Sequence, residues 1–217
     1  MSRKKASIPK HGRDVRRRPR TRAKRYLVVC GGEATEPQYF EHLQTEISKT
    51  NSCIIKVIPK TMSPSQLAKH AAIRKHDDER DNGDSADRYA AIFVVVDVDD
   101  FHDHLQAQQT CTNNGISFII SNPCFEVWLI DHLQPCPEAY ANTSDVERYA
   151  AQKGITGGPR HKHINWETIA DCTQNAVANA QKHNSESKTT ARKQLTPYSE
   201  SNYAPWTDMP EVIKAIS

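Results

Sequence analysis

The chain has 217 residues, 25% of them charged and 37% hydrophobic, with a formal net charge of +3. No apolar stretch approaches the roughly 20 residues that cross a bilayer, and the polar, Arg-rich start lacks the apolar segment of a secretory signal, so a soluble cytoplasmic protein with no membrane partner is expected. Six scattered cysteines without a Cys-x-x-Cys pair argue against a zinc ribbon or a disulfide framework and fit reduced thiols.

Residues 1–25 hold twelve Lys or Arg against a single acid, Asp14, which leaves the remainder of the chain net acidic. Such a run reads as a disordered basic arm that gains affinity for phosphates by releasing counterions. Arg16, Arg17, Arg18, Arg20, Arg22, Lys24 and Arg25 are its candidate nucleic-acid contacts. The plainer alternative is a solvated tail whose charge pairs with the protein's own acidic surface.

From Tyr26 onward strand and helix signals alternate. Tyr26–Cys30 is a short β-run broken by Gly31 and Gly32; a helix follows over Glu36–Ser48, with Tyr39, Phe40, Leu43 and Ile47 at helical spacing. Cys53–Ile58 is a second β-run, and Ser63-Pro64 opens a helix through Ala72 that runs out in a charged loop, His76–Asp87. Ala91–Val96 is the third strand, Phe101–Thr110 a helix, and Ile116–Ile120 the fourth strand after the stop signal Asn113-Asn114-Gly115. Connections this long imply parallel strands with right-handed crossovers. Beyond them lie a buried helical segment, Cys124–Leu133, and helix-like stretches near 144–153, 165–183 and 208–216. The basic loop Gly154–His163 and the Ser/Thr-rich loop Ser185–Ser201 separate these. The division expected is an arm (1–25), an α/β core (26–135) and a helical C-terminal extension packed on it (136–217).

The chemistry concentrates in acids at strand ends. Asp97 and Asp99 close the apolar run Val94–Val96 and share one face, where like charges repel unless a cation or a proton intervenes. Glu33 and Glu36 follow the first strand in the same way. In open α/β sheets ligands bind at the carboxyl ends of strands. If the first and third strands are neighbours, Glu33, Asp97 and Asp99 converge as an oxygen-rich set suited to Mg²⁺ or Mn²⁺. Glu126, in a Trp-containing apolar segment, is costly to bury alone and needs a metal, a base or helix amides. His102 and His104 are general-acid candidates or plain surface histidines; Arg160 and Lys162 grip phosphate or only decorate a connector.

Three segments in order, Cys30–Phe40 (CGGEATEPQYF), Val95–Asp100 (VVDVDD) and Ser121–His132 (SNPCFEVWLIDH), resemble the RloB family, with a weaker echo at Ala204–Ile216. The resemblance implies a Toprim-like α/β fold, a small parallel sheet flanked by helices. It further implies metal-dependent endonucleolytic cleavage of nucleic acid, DNA or RNA (tRNA included), in an antiphage or restriction-associated system, with an ATPase encoded alongside. Asp97, Asp99 and Glu33 would then be metal ligands, with Glu36 and Glu126 among the catalytic acids. One departure stands out: the family usually reads Cys-Glu-Gly-Glu where this chain has Cys30-Gly31-Gly32-Glu33. Either Glu33 or Glu36 takes over from the missing acid, or the fold persists as a non-catalytic binding subunit of an ATPase-containing complex. Hydrolysis of small nucleotides by the same carboxylates is a third reading. The chain has no Walker-type phosphate loop of its own.

Overall fold

The computed structural model describes residues 22–50, 53–98 and 101–217. Four strand–helix units come first. β1 (Lys24–Cys30) leads to α1 (Thr35–Thr50), and β2 (Cys53–Pro59) to α2 (Pro64–Asp81). β3 (Tyr89–Asp97) leads to α3 (His104–Asn113), and β4 (Ser117–Asn122) to α4 (Glu126–Asp131). The four strands are mutually parallel in the order β2-β1-β3-β4. Cys30 lies beside Val95 and Asp97 beside Ser121, so β1, β3 and β4 end along one edge.

Side chains alternate across the sheet, as a period of two requires. Tyr26, Val28, Cys30, Phe93, Val95 and Ile119 face one core together with Phe40 and Trp128. Leu27, Val29, Ile92, Val94, Val96 and Ile120 face the other with Leu67, Ala71 and Ala107. Strands covered on both faces read as continuous apolar runs, which is why β1 and β3 were visible in the sequence. The expected α/β class holds, with a mostly parallel sheet flanked by helices.

The rest of the chain supplies α5 (Thr143–Gln152), the two-residue antiparallel pair β5 (Thr156–Gly157) and β6 (His163–Ile164), α6 (Trp166–Ile169), α7 (Thr173–His183), α8 (Glu186–Gln194), β7 (Trp206–Thr207) and α9 (Met209–Ile216). α9 buries Met209, Val212, Ile213 and Ile216 in the first core. β7 pairs antiparallel with β4 and completes a five-stranded sheet.

Three local outcomes differ from the sequence reading. The helix that was to end near Ala72 continues to Asp81, because its charges pair along the helix (Lys75–Glu79, Arg80–Asp77) and buried Asp78 accepts from Arg25 and the Tyr89 amide. The stretch 165–183 is two helices, with Asp171 at φ 59° between them. The Ser/Thr-rich segment holds α8, capped by Ser185 and pinned by one buried guanidinium. Arg192 donates from Nε to Asp208 (2.9 Å), from Nη1 to Gln108 (2.8 Å) and from Nη2 to the Phe118 carbonyl (3.1 Å). Asp208 also accepts from the Ile120 amide at 3.0 Å and from Trp206 Nε1 at 2.7 Å. All six cysteines are free thiols. Among the described residues no helix is long and apolar enough to cross a membrane.

Candidate functional site

The shared edge where β1, β3 and β4 end meets the N-terminal turns of α1 and α4, and this junction gathers carboxylates. Asp97 continues the alternation of Phe93 and Val95, which places it on the α1/α4 side of the sheet. Its carbonyl accepts from His104 Nε2 at 3.0 Å. His104 is therefore a buried brace for the strand end, held neutral-leaning by burial, rather than a surface acid. His102 lies apart, against Glu200 at 3.3 Å and the Tyr198 ring.

Glu36 sits in the first turn of α1 and is 4% exposed. Its carboxylate folds back over Gly32, in space that a Cβ there would occupy. Glycine at 32 is what lets the acid return toward the sheet. Burial, then the Glu126 charge, raise the Glu36 carboxyl from 4.5 to about 7; backbone amides and Lys162 oppose the rise. Glu126 begins α4 and is 1% exposed. Its Oε1 accepts from Thr35 Oγ1 at 3.4 Å and faces Lys162 Nζ at 3.4 Å, while its buried Oε2 has no hydrogen-bond partner.

The neighbouring thiols report the same grouping. Cys30, pushed up chiefly by burial, also feels Glu36 and Asp97; Cys124, likewise buried, feels Glu126 and Asp97. Three acids from three strand ends thus share one electrostatic environment. A small cleft of about 70 Å³ opens beside them, lined by Gly31, Gly32, Glu36, Leu67, Asp97 and Phe101 among others.

Lys162 is drawn into this group. Its amine reaches Glu147 at 2.7 Å and Glu126 at 3.4 Å. Burial alone would lower its proton affinity, but Glu126 and Glu147 raise it overall. Gln38 holds the loop in place, donating to the Lys162 carbonyl at 2.8 Å and accepting from the Ile164 amide at 3.3 Å.

Other expected site residues lie elsewhere. Glu33 is exposed and accepts from Thr61 Oγ1, so it turns away from Glu36 and Asp97. Between Glu33 and Glu36, the structure brings Glu36 to the acids. Gly31 lines the cleft with Leu67 Cδ1 3.3 Å from where a Cβ would stand, so a larger side chain there would have to shift Leu67. Asp99 lies outside the described residues, as do Arg16, Arg17, Arg18 and Arg20. Arg22 pairs with Asp84 and Asp87, and Arg25 with Asp78 while covering the Tyr89 ring. Lys24 and Arg160 are exposed, the latter at φ 56°.

The donors fit a hard cation in kind: all are carboxylate oxygens, and Glu126 Oε2 is a buried acceptor with nothing to accept. Among the described residues, however, no three His, Cys, Asp or Glu side chains already stand at metal-binding spacing. Gln38, Glu147 and Thr35 escaped the sequence reading. Their types are ordinary on helices, and only the fold brings Gln38 against Lys162 and Thr35 against Glu126.

A family model described as RloB-like protein matches residues 26–216. No curated protein matches the chain.

Proposed function

The chain belongs to the RloB-like protein family, and from that premise we propose that the acid crevice performs metal-dependent hydrolysis of phosphodiester bonds in nucleic acid. The observation that carries this reading is the grouping of two almost fully buried acids, Glu36 and Glu126, with the half-buried Asp97, each following a different strand and acting on the same neighbouring thiols. Isolated buried acids are expensive, and three together call for compensating positive charge. Glu36, Asp97 and Glu126 would hold Mg²⁺ or Mn²⁺, with Asp99 as a further oxygen donor. The bound ion would supply Lewis acidity and neutralise charge on phosphate. Before a cation arrives the Glu36 carboxyl is poised at about 7, so binding the ion near neutral pH would release its proton and leave an ionised oxygen ligand. The basic arm would gather the polyanion and lead it to the cleft. The setting we propose is cytoplasmic antiviral or restriction-associated defence, where a separate ATPase partner would supply the nucleotide chemistry for which this sequence has no Walker-type loop.

One observation favours a second reading, a non-catalytic binding subunit: Gly31 stands in the acid position of the resembled motif, hemmed by Leu67, while Glu33 faces away. The two part company in one assay. Purified protein is incubated with DNA, tRNA and total RNA plus Mg²⁺ or Mn²⁺, beside Asp97→Ala and Glu126→Gln variants. Hydrolysis predicts cleavage by the parent that falls by about 10² or more in each variant. Binding without cleavage, or equal cleavage by all three, sinks the hydrolytic reading.

A further inference from the structure

Lys162 occupies an unusual position for a residue on a basic surface loop. Its ammonium points inward, 2.7 Å from Glu147 and 3.4 Å from the almost fully buried Glu126, and its charge also acts on Asp97 and Glu36. The main chain around it is fixed on purpose-built contacts. Gln38, two residues beyond Glu36 on α1, grips Lys162 and Ile164 through both ends of its amide. The hairpin that presents it, β5 to β6, closes through Gly158 (φ 67°), Arg160 (φ 56°) and His161 (φ 55°). Two consecutive non-glycine residues in the left-handed region are held against their preference by the surrounding contacts.

A second cation beside Glu126 would stand close to this ammonium, and like charges at such separations repel even though the lysine side chain is 38% exposed. The ammonium and a divalent ion therefore compete for the same carboxylate. Glu147, 27% exposed, lies on the open side and gives the displaced amine somewhere to go. We infer that Lys162 is the resident counter-ion of the acid crevice, that a divalent cation binds by displacing it from Glu126, and that this displacement loosens the hairpin 156–164. The inference rests on the cation-binding reading of the crevice and adds a determinant of its affinity.

The test uses the full-length protein with Mn²⁺ as the probe, titrated by calorimetry, and backbone hydrogen exchange of 156–164 with and without it. Lys162→Met should bind Mn²⁺ about ten-fold more tightly than the parent, whereas Lys162→Arg, which keeps the charge, should not. In the parent, Mn²⁺ should reduce protection of the hairpin; in Lys162→Met the hairpin should already exchange faster and ignore Mn²⁺. Gln38→Leu, which leaves every charge in place but frees the hairpin, serves if Lys162→Met does not fold, and should also tighten Mn²⁺ binding. Equal or weaker Mn²⁺ binding by the folded variant, with hairpin exchange indifferent to the ion, overturns the inference and leaves the crevice a cation site. Mn²⁺ binding by neither protein removes the cation reading itself, and the inference with it.

Discussion

Burial and the Glu126 carboxylate raise the Glu36 carboxyl from 4.5 to about 7, so folding takes up a proton between those values. Below pH 4.5 the acid is neutral in both states and costs nothing. Between 4.5 and 7 the unfolded chain has ionised this carboxyl while the folded protein keeps its proton, so stability falls steadily as pH rises across that window; above 7 both states are ionised and the loss is constant. In chelator at pH 8, Glu36→Gln should therefore be more stable than the parent by roughly 3 kcal/mol, with the difference vanishing below pH ~4.5. Urea unfolding at pH 4, 6 and 8 measures this; a flat difference across that range refutes it. The same variant should lose cleavage. Gly32→Ala probes the site differently, since the atoms nearest the added methyl are those of the Glu36 carboxylate. Its stability should stay within about 1 kcal/mol of the parent while cleavage drops at least about ten-fold, because the carboxylate is pushed off its place. Unchanged turnover would mean that the Glu36 carboxylate is not needed where it stands.

The elements that could be read from the chain were those whose stability comes from apolar pattern. β1 and β3 stand out as unbroken apolar runs because both of their faces are buried, and α1 through its helical periodicity. α8 was illegible because it buries a charge instead of an apolar stripe: Arg192 is its anchor, and a guanidinium in a Ser/Thr-rich stretch reads as surface. The extra turns of α2 were hidden for a related reason, their charges being paired along the helix and through Asp78. Asp208→Ala should strand the Arg192 guanidinium, the Ile120 amide and the Trp206 indole, a loss of about 3–5 kcal/mol measurable by urea unfolding. Arg80→Ala, which breaks only exposed pairs, should leave the midpoint where it was. If the two behave alike, Arg192 is not the anchor of the C-terminal half.

For the molecule as a whole, half of the site could be read and half could not. Acids that follow strands declare themselves by position, so Glu36, Asp97 and Glu126 were candidates from the outset. Which of Glu33 and Glu36 turns inward depends on the geometry of one helical turn, and Lys162 reaches Glu126 only because the fold returns a hairpin to α1. The proposed role of the basic arm is tested at this larger scale. Deleting residues 1–21 should weaken nucleic-acid binding at low salt and flatten the dependence of log affinity on log salt; an unchanged slope in filter-binding assays would rule out the arm as a phosphate contact. The placement of β7 has a further consequence. Its residues pair with β4 from more than 80 positions downstream, the Ser121–Thr207 hydroxyl contact spanning 86. On the ribosome Ser121 and Asn122 at the end of β4 thus emerge unpaired on one side and wait for Trp206 and Thr207 to be made. Throughout that wait the nascent protein offers a template to any passing extended peptide, and a chaperone that shields such flanks would find its client here.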